Sequence, residues 1–405
     1  MTSKIRRLYL YQALSYTFFD RAIFTIYLAS NDVSFAQIGM LQSLLFAATF
    51  FAEFPMGVLG DKIGRKSLII AGRFCVVAYS VLMLLGGSWG GFNVFLIAFV
   101  VFGIGNAAIS GADSSFLYES AREEGRKPEF TRIASRFHAI AVGAVAFGML
   151  IGGQLQKIDW SIVFGASAVL HLVGIAVIAT IQEERPAGPD GSNDSIRKIL
   201  TDLSSVFRRD KSLSIFVLGS ALLGSTINAF YIYVPVLLIS EGFSTDLSSL
   251  TTACAAGLAI VASAQAWRLV GWTGDRLMFI ALPSVAATLL VCIAIAPFWI
   301  IPVIAILVIL LEDVLDPLVS RVIHDGISDN VRASVISTES SAFSLLSVLL
   351  FPAFGWLADE YSFNSMALIA GLFCCLPCLL LLPRGAMVVS ADKHEGAPEG
   401  EVSDK

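Results

Sequence analysis

Five ionisable residues stand in sequence that is otherwise apolar, and their types restrict what they can do. Asp20 and Arg21 interrupt one apolar run, and Glu312, Asp313 and Asp316 crowd into about five residues of another. A charge at the centre of a bilayer costs about 2.5–3.5 kcal/mol on insertion scales, so each needs a partner or a task. Asp20 and Arg21 lie ~18 Å into their run at 1.5 Å per residue. Neighbours on a helix point in different directions, so the two cannot pair across one face. At least one is expected to face a cavity or another helix. Glu312 and Asp316 are four apart and share a face, with Asp313 beside them. Three carboxylates so close cannot all be ionised cheaply, so one is expected to hold a proton near neutrality. Such a group can carry protons, bind a cation, or neutralise Arg21 in one conformation and release it in another.

Other candidates are polar or peripheral. Asn106, Asn228, Tyr231 and Tyr233 fall at mid-depth in their runs, where amides and hydroxyls bind a polar solute or simply join helices. Glu53, Asp113, Glu119 and Glu339 lie nearer the ends. Asp113 and Glu119 are expected to pair with Arg132 or Arg136, as gate residues or as interfacial charges. Cys374, Cys375 and Cys378 are close together, but the run is apolar and lacks a nearby His, so they read as small buried residues and no metal is expected. His138 and His171 are isolated. No nucleotide-binding loop, zinc-protease motif or serine elbow occurs, and no polar segment is long enough to house an enzyme. Neither a cofactor nor a nucleic-acid partner is expected.

The elements that must position these groups are membrane helices. Mean hydropathy is +0.77, with 56% hydrophobic and 15% charged residues, which excludes an ordinary soluble domain. Twelve apolar runs of bilayer-spanning length are predicted, at 8–29, 37–58, 67–86, 93–115, 131–153, 161–181, 213–239, 247–269, 278–296, 300–321, 333–356 and 363–383. With the N-terminus inside, all but Lys157 and Arg21 of the 27 Lys and Arg residues fall in or beside inner loops and tails. The positive-inside rule then places both termini in the cytoplasm. Asp20 and Arg21 interrupt the first run and no small-residue cleavage site follows, so it is read as a span, not a leader. The longest polar stretch divides the chain into bundles at 1–182 and 213–383. It forms a linker at 183–212 carrying an amphipathic helix, and a disordered tail is expected at 384–405.

Residues 57–67, Gly-Val-Leu-Gly-Asp-Lys-Ile-Gly-Arg-Lys-Ser, form a charged, glycine-punctuated turn between the second and third runs. The string resembles the G-x-L-x-D-R-x-G-R-K loop of the major facilitator superfamily, a resemblance that spans essentially the whole chain. Gly57–Lys62 recurs as Gly271-Trp-Thr-Gly274-Asp275-Arg276, as expected of parallel repeats in a two-lobed transporter. The resemblance implies an all-α fold of twelve helices in two six-helix bundles, with helices 1, 4, 7 and 10 lining a cavity that opens alternately to each side. It implies a conformational latch at Gly57, Asp61, Gly64 and Arg65, to which Glu53, Asp113, Arg136, Asp275, Arg276 and Glu339 are added as candidates. Gly148-Met-Leu-Ile-Gly152-Gly153 is similar to the G-P-x-x-G-G string of exporters, although Met149 replaces its proline. The helix 4 arginine usual in drug/proton antiporters is missing between Phe92 and Tyr118.

The expectation is a monomeric secondary transporter of a bacterial inner membrane, exporting a small polar or zwitterionic compound in exchange for protons. The substrate and proton site would comprise Asp20, Arg21, Asn106, Asn228, Tyr231, Glu312, Asp313 and Asp316. A proton-coupled importer, a lipid flippase and a non-transporting protein on the same scaffold are the alternatives.

Overall fold

The computed structural model describes residues 4–183, 211–273, 275–326 and 329–381, with side chains left aside at 211–213, 263–264, 266–278, 324–334, 337 and 378–381. Among the described residues the only regular elements are helices. The first predicted span is not one helix. It divides into α1 (Lys4–Ser15) and α2 (Phe24–Ser30), with Asp20 and Arg21 in the irregular stretch between them. The helical spacing argument for this pair therefore does not apply. Neither Gly nor Pro occupies residues 16–23, so the cause lies in packing. On α6 (Phe130–Leu155), Gly148 and Gly152 press against the Phe18 and Phe19 backbone, where a Cβ would collide with main-chain atoms. The Ser167 hydroxyl of α7 (Trp160–Ala179) also takes the Phe19 amide, at 3.1 Å.

The second span and the loop after it also differ from expectation. Helix α3 (Phe35–Ile63) starts with a capping box between Ser34 and Gln37. It continues through Gly57 and Asp61, so most of the charged string is helical. Only Gly64, with φ +92°, separates it from α4 (Arg65–Leu85). That φ favours glycine, and one residue makes the whole turn. A π-helical turn at Gly86–Gly90 then leads into α5 (Gly91–Glu123).

The second half repeats the plan. Helices α8 (Lys211–Tyr231) and α9 (Val234–Ser240) are separated by a break, as α1 and α2 are. They are followed by α10 (Thr245–Thr273), α11 (Asp275–Ile295), α12 (Ile301–Gly326), α13 (Asp329–Glu360) and α14 (Phe363–Leu381). Helices α2, α3, α4 and α5 begin at residues 24, 35, 65 and 91, and α9, α10, α11 and α12 at 234, 245, 275 and 301, an offset of 210 each time. The sequence match of Gly60-Asp61 to Gly274-Asp275 is thus four residues out of structural register. Asp275 opens α11 as Arg65 opens α4. Among the described residues, eight stretches are long and apolar enough to cross a bilayer by themselves. The amphipathic helix expected at 183–212 and the tail at 384–405 lie largely outside the described residues.

Helix α3 packs along α13, and α6 along α10. The contacts concentrate at the end opposite the basic loops. Asp359 accepts both the Phe35 and Ala36 amides, at 2.9 and 2.8 Å. Tyr233 donates its hydroxyl between the carbonyls of Phe35 (3.1 Å) and Phe351 (2.7 Å). Ser43 donates to the Val348 carbonyl at 2.6 Å, and Ser249 to that of Met149. Gly39 and Gly355 permit the close approach around Tyr233, and Gly153 that of α6 to Ser249. Lys157, the lone cation assigned to this side, bridges to Asp246 at 3.1 Å. This end is closed, and the space between the helices lies toward the basic end.

Candidate transport site

A cavity of about 500 Å³ opens at mid-depth beside the break in the first span. Its polar wall includes Arg21, Gln42, Thr49, Glu53, Asn106, Ser340 and Ser341, and Phe46, Phe50 and Phe54 form its aromatic wall. Helices α3, α5 and α13 supply most of these side chains, whereas Arg21 comes from the irregular stretch between α1 and α2. Arg21 is exposed. Among the described residues no carboxylate comes within ion-pair distance of it. A second cavity of similar volume shares Glu53 and Phe54 and continues past Gly57, Gly60, Asp61 and Arg65, so the polar space extends toward the basic end.

The second half presents the acids. Glu312 is partly buried on α12 and accepts the Asn228 amide at 3.1 Å. Asp313 is also partly buried, Asp316 is exposed, and Glu339 on α13 is partly buried. Tyr231 ends α8, three residues beyond Asn228. Of the predicted site residues, Arg21 and Asn106 line the cavity, whereas Asn228, Tyr231 and the carboxylates Glu312, Asp313 and Asp316 stand on the second half, outside its lining.

Asp20 turns the other way. It is 3% exposed, and its Oδ2 accepts the Tyr79 hydroxyl at 3.0 Å. Its Oδ1 is buried without a partner. Tyr79 stacks on Phe102, with ring centroids 4.5 Å apart, so an aromatic layer fixes the phenol that holds the acid.

Asp113 does not pair with Arg132 or Arg136. It faces Arg73 of α4 at 3.4 Å and accepts the hydroxyls of Tyr11 (2.9 Å) and Tyr16 (3.3 Å). Arg73 also donates to Tyr11 Oη and to the Ser15 carbonyl, both at 2.8 Å. Arg73 is buried, with its guanidinium 4.5 Å from the Tyr16 ring centre. Assigning Arg73 to a helix end near a basic loop concealed this cluster. Its position eight residues into α4, ~12 Å from the turn, already marked it as an intramembrane charge. Arg136 is exposed. His171 is fully buried against Phe18, and neither ring nitrogen has a partner.

At the basic end, Arg65 pairs with Glu119 at 3.1 Å, not with Asp61. Asp61 lies on the last turn of α3, exposed along the second cavity. Glu183 accepts the Lys66 amide at 3.1 Å, and Lys66 donates to the carbonyls of Ala179 (2.9 Å) and Ile181 (2.7 Å). Lys4 bridges to Glu123. None of these contacts reaches the second half. The side chains of Asp275 and Arg276, two of the predicted latch residues, lie outside the description.

A break-bearing helix pair in each half, a shared polar cavity and one sealed end define a membrane transporter. The chain belongs to the Major Facilitator Superfamily, whose family model matches residues 8–338. Among its relatives, the "Uncharacterized MFS-type transporter YxaM" of Bacillus subtilis is 22% identical, aligned over 88% of this chain and 90% of its own length. "Multidrug resistance protein MdtM" of Salmonella typhimurium is 29% identical over 64% of this chain and 62% of its own. Among solved structures, a point mutant of the nucleoside transporter NupG superposes with TM-score 0.79 at 14% identity, covering 94% of this chain and 99% of that one. An inward-facing, unoccupied bacterial homologue of the lysosomal transporter Spinster gives TM-score 0.71 at 13% identity, covering 95% and 96%.

Proposed function

We propose that the protein is a secondary transporter that exports a small polar or zwitterionic organic compound across a bacterial inner membrane in exchange for protons. Twelve spans with both termini cytoplasmic are part of this reading, which makes the basic end the cytoplasmic one and the structure open to the cytoplasm. The observation that carries it is Arg21, exposed in a cavity of about 500 Å³ while the acids Glu312, Asp313 and Asp316 stand on the other half. A solute bearing both charges can bridge the halves. A proton on Glu312 weakens that bridge, with Asp20 as a second proton carrier behind Arg21, so binding and protonation favour different conformations, as coupling requires. The name of the MdtM relative supports export. Importing with the same carboxylates is the second reading. It gains from Gly148 and Gly152, because their packing against the first-span break accounts for the exporter-like string without reference to direction.

The test is substrate-driven proton movement in proteoliposomes, screening antibiotics, peptides, amino acids and sugars with wild type, Asp20→Asn and Glu312→Gln. A compound that moves protons only with wild type is expected, and flux against the proton gradient marks export. Substrate flux indifferent to the pH gradient would end the proton-coupled reading.

A further inference from the structure

Asp20 does not line the large cavity, but a small void beside it shares part of that cavity's lining. Beside the carboxyl lies a void of about 10 Å³, lined by Phe18, Asp20, Arg21, Phe24, Gln42 and Tyr79, with Leu45, Phe99 and Phe102 closing it. That is close to the space one water needs, roughly 10–15 Å³. Arg21, Gln42 and Leu45 line both this void and the large cavity. The only uncharged hydrogen-bonding side chain among these three is Gln42, which is 5% exposed. On the far side, Asp20 leaves its buried Oδ1 unpartnered while Tyr79 occupies Oδ2. A buried oxygen of this kind is ordinarily satisfied by protein or by ordered water.

We propose that a single water, held between Asp20 Oδ1 and the Gln42 amide, is the route by which Asp20 exchanges its proton with the cavity. The inference rests on the reading of Asp20 as a proton carrier. Asp20 passes its proton to this water as the water gives one of its own to the next water in the cavity. The carboxylate is left charged and the site water neutral. Gln42 takes no proton; it is a positioning residue that orients the water and keeps the passage polar. A metal cation fits the void poorly. Its side-chain oxygens come only from Asp20, Gln42 and Tyr79, the remaining wall is mostly aromatic, and Arg21 lines it with a like charge.

Infrared spectroscopy of the full chain in lipid nanodiscs tests this by following the protonated carboxyl stretch after transfer to D₂O. The Asp20 band is identified by its loss in Asp20→Asn. Gln42→Leu is expected to slow exchange of that band by at least about tenfold, a modest share of what a positioned proton partner contributes. Gln42→Asn, which keeps an amide and leaves room for water, is expected to restore fast exchange. Equal rates in wild type and Gln42→Leu, or equally slow exchange in Gln42→Asn, would overturn the route while leaving Asp20 as the carrier. Absence of any Asp20 band across the working pH range would remove the carrier reading and the route with it. Sodium shifting the band at constant pH would identify a metal site and refute the water.

Discussion

Arg73 and Asp113 show how a single residue acts through its surroundings. The guanidinium and carboxylate are both buried, and each has further partners in Tyr11, Tyr16 and the Ser15 carbonyl. Removing one partner of a buried pair leaves an uncompensated charge and costs about 3–5 kcal/mol, more than the pair itself stabilises. Arg73→Met is therefore expected to lower unfolding stability by about that amount, measured by steric trapping in bicelles. Arg73→Met with Asp113→Asn is expected to recover most of the loss. A double variant as unstable as the single one would show that packing of the arginine stem, not its charge, is what matters. At this scale the sequence was legible in part. Arg21 and Glu312 stood out because charge in an apolar run is costly. Tyr79 and Gln42 carry no such cost, and nothing in their spacing separates them from ordinary helix residues.

Two glycines govern the broken first span from a neighbouring element. A Cβ on Gly152 would meet the Phe19 carbonyl and one on Gly148 the Phe18 backbone, whereas Gly143 on the same helix has open space around it. Gly152→Val is expected to cost about 1–3 kcal/mol by overpacking and to abolish transport by displacing Asp20 and Arg21. Gly143→Val serves as the control that should retain flux. Equal flux in the two variants would count against the packing account of the break. The sequence predicted both the first span and the glycine string, but not that one interrupts the other. Hydropathy reports an apolar run whether or not its backbone stays helical, and the collision responsible joins residues more than a hundred positions apart. The turn after α3 was misjudged for a related reason: Asp61 and Lys62 read as loop residues, yet a helix end in polar surroundings tolerates charge, and Gly64 alone breaks the helix.

Across the whole molecule, the two halves meet through contacts that have no counterpart at the basic end among the described residues. Asp359 of α13 caps α3 of the other half, adding a carboxylate to two free amides at a helix N-terminus. Exposed charges there contribute about 0.3–1 kcal/mol, enough to move a balanced two-state equilibrium a few-fold. Asp359→Asn is thus expected to increase the fraction of molecules open at this end, read as longer distances between spin labels on Ser30 and Tyr361. An unchanged distance distribution would show that Tyr233 and the glycine contacts suffice to hold the closure. The 210-residue repeat was visible in outline from the matching Gly-Asp strings, but the register emerged only from the helix boundaries.

The divided first span also bears on how the chain is made. Its two pieces, Lys4–Ser15 and Phe24–Ser30, are each shorter than the ~20 residues a lone membrane helix requires. Between them lie two charges that a membrane-insertion channel rejects at about 2.5–3.5 kcal/mol each when central. During synthesis this segment has no stable place in lipid by itself, since the partner of Asp20 is Tyr79 and the support for Phe19 is Ser167, both translated later. Insertion of this segment is therefore expected to be a late, cooperative event. In a cell-free insertion assay, chains truncated before α4 should fail to retain this segment, whereas those extending through α7 should hold it.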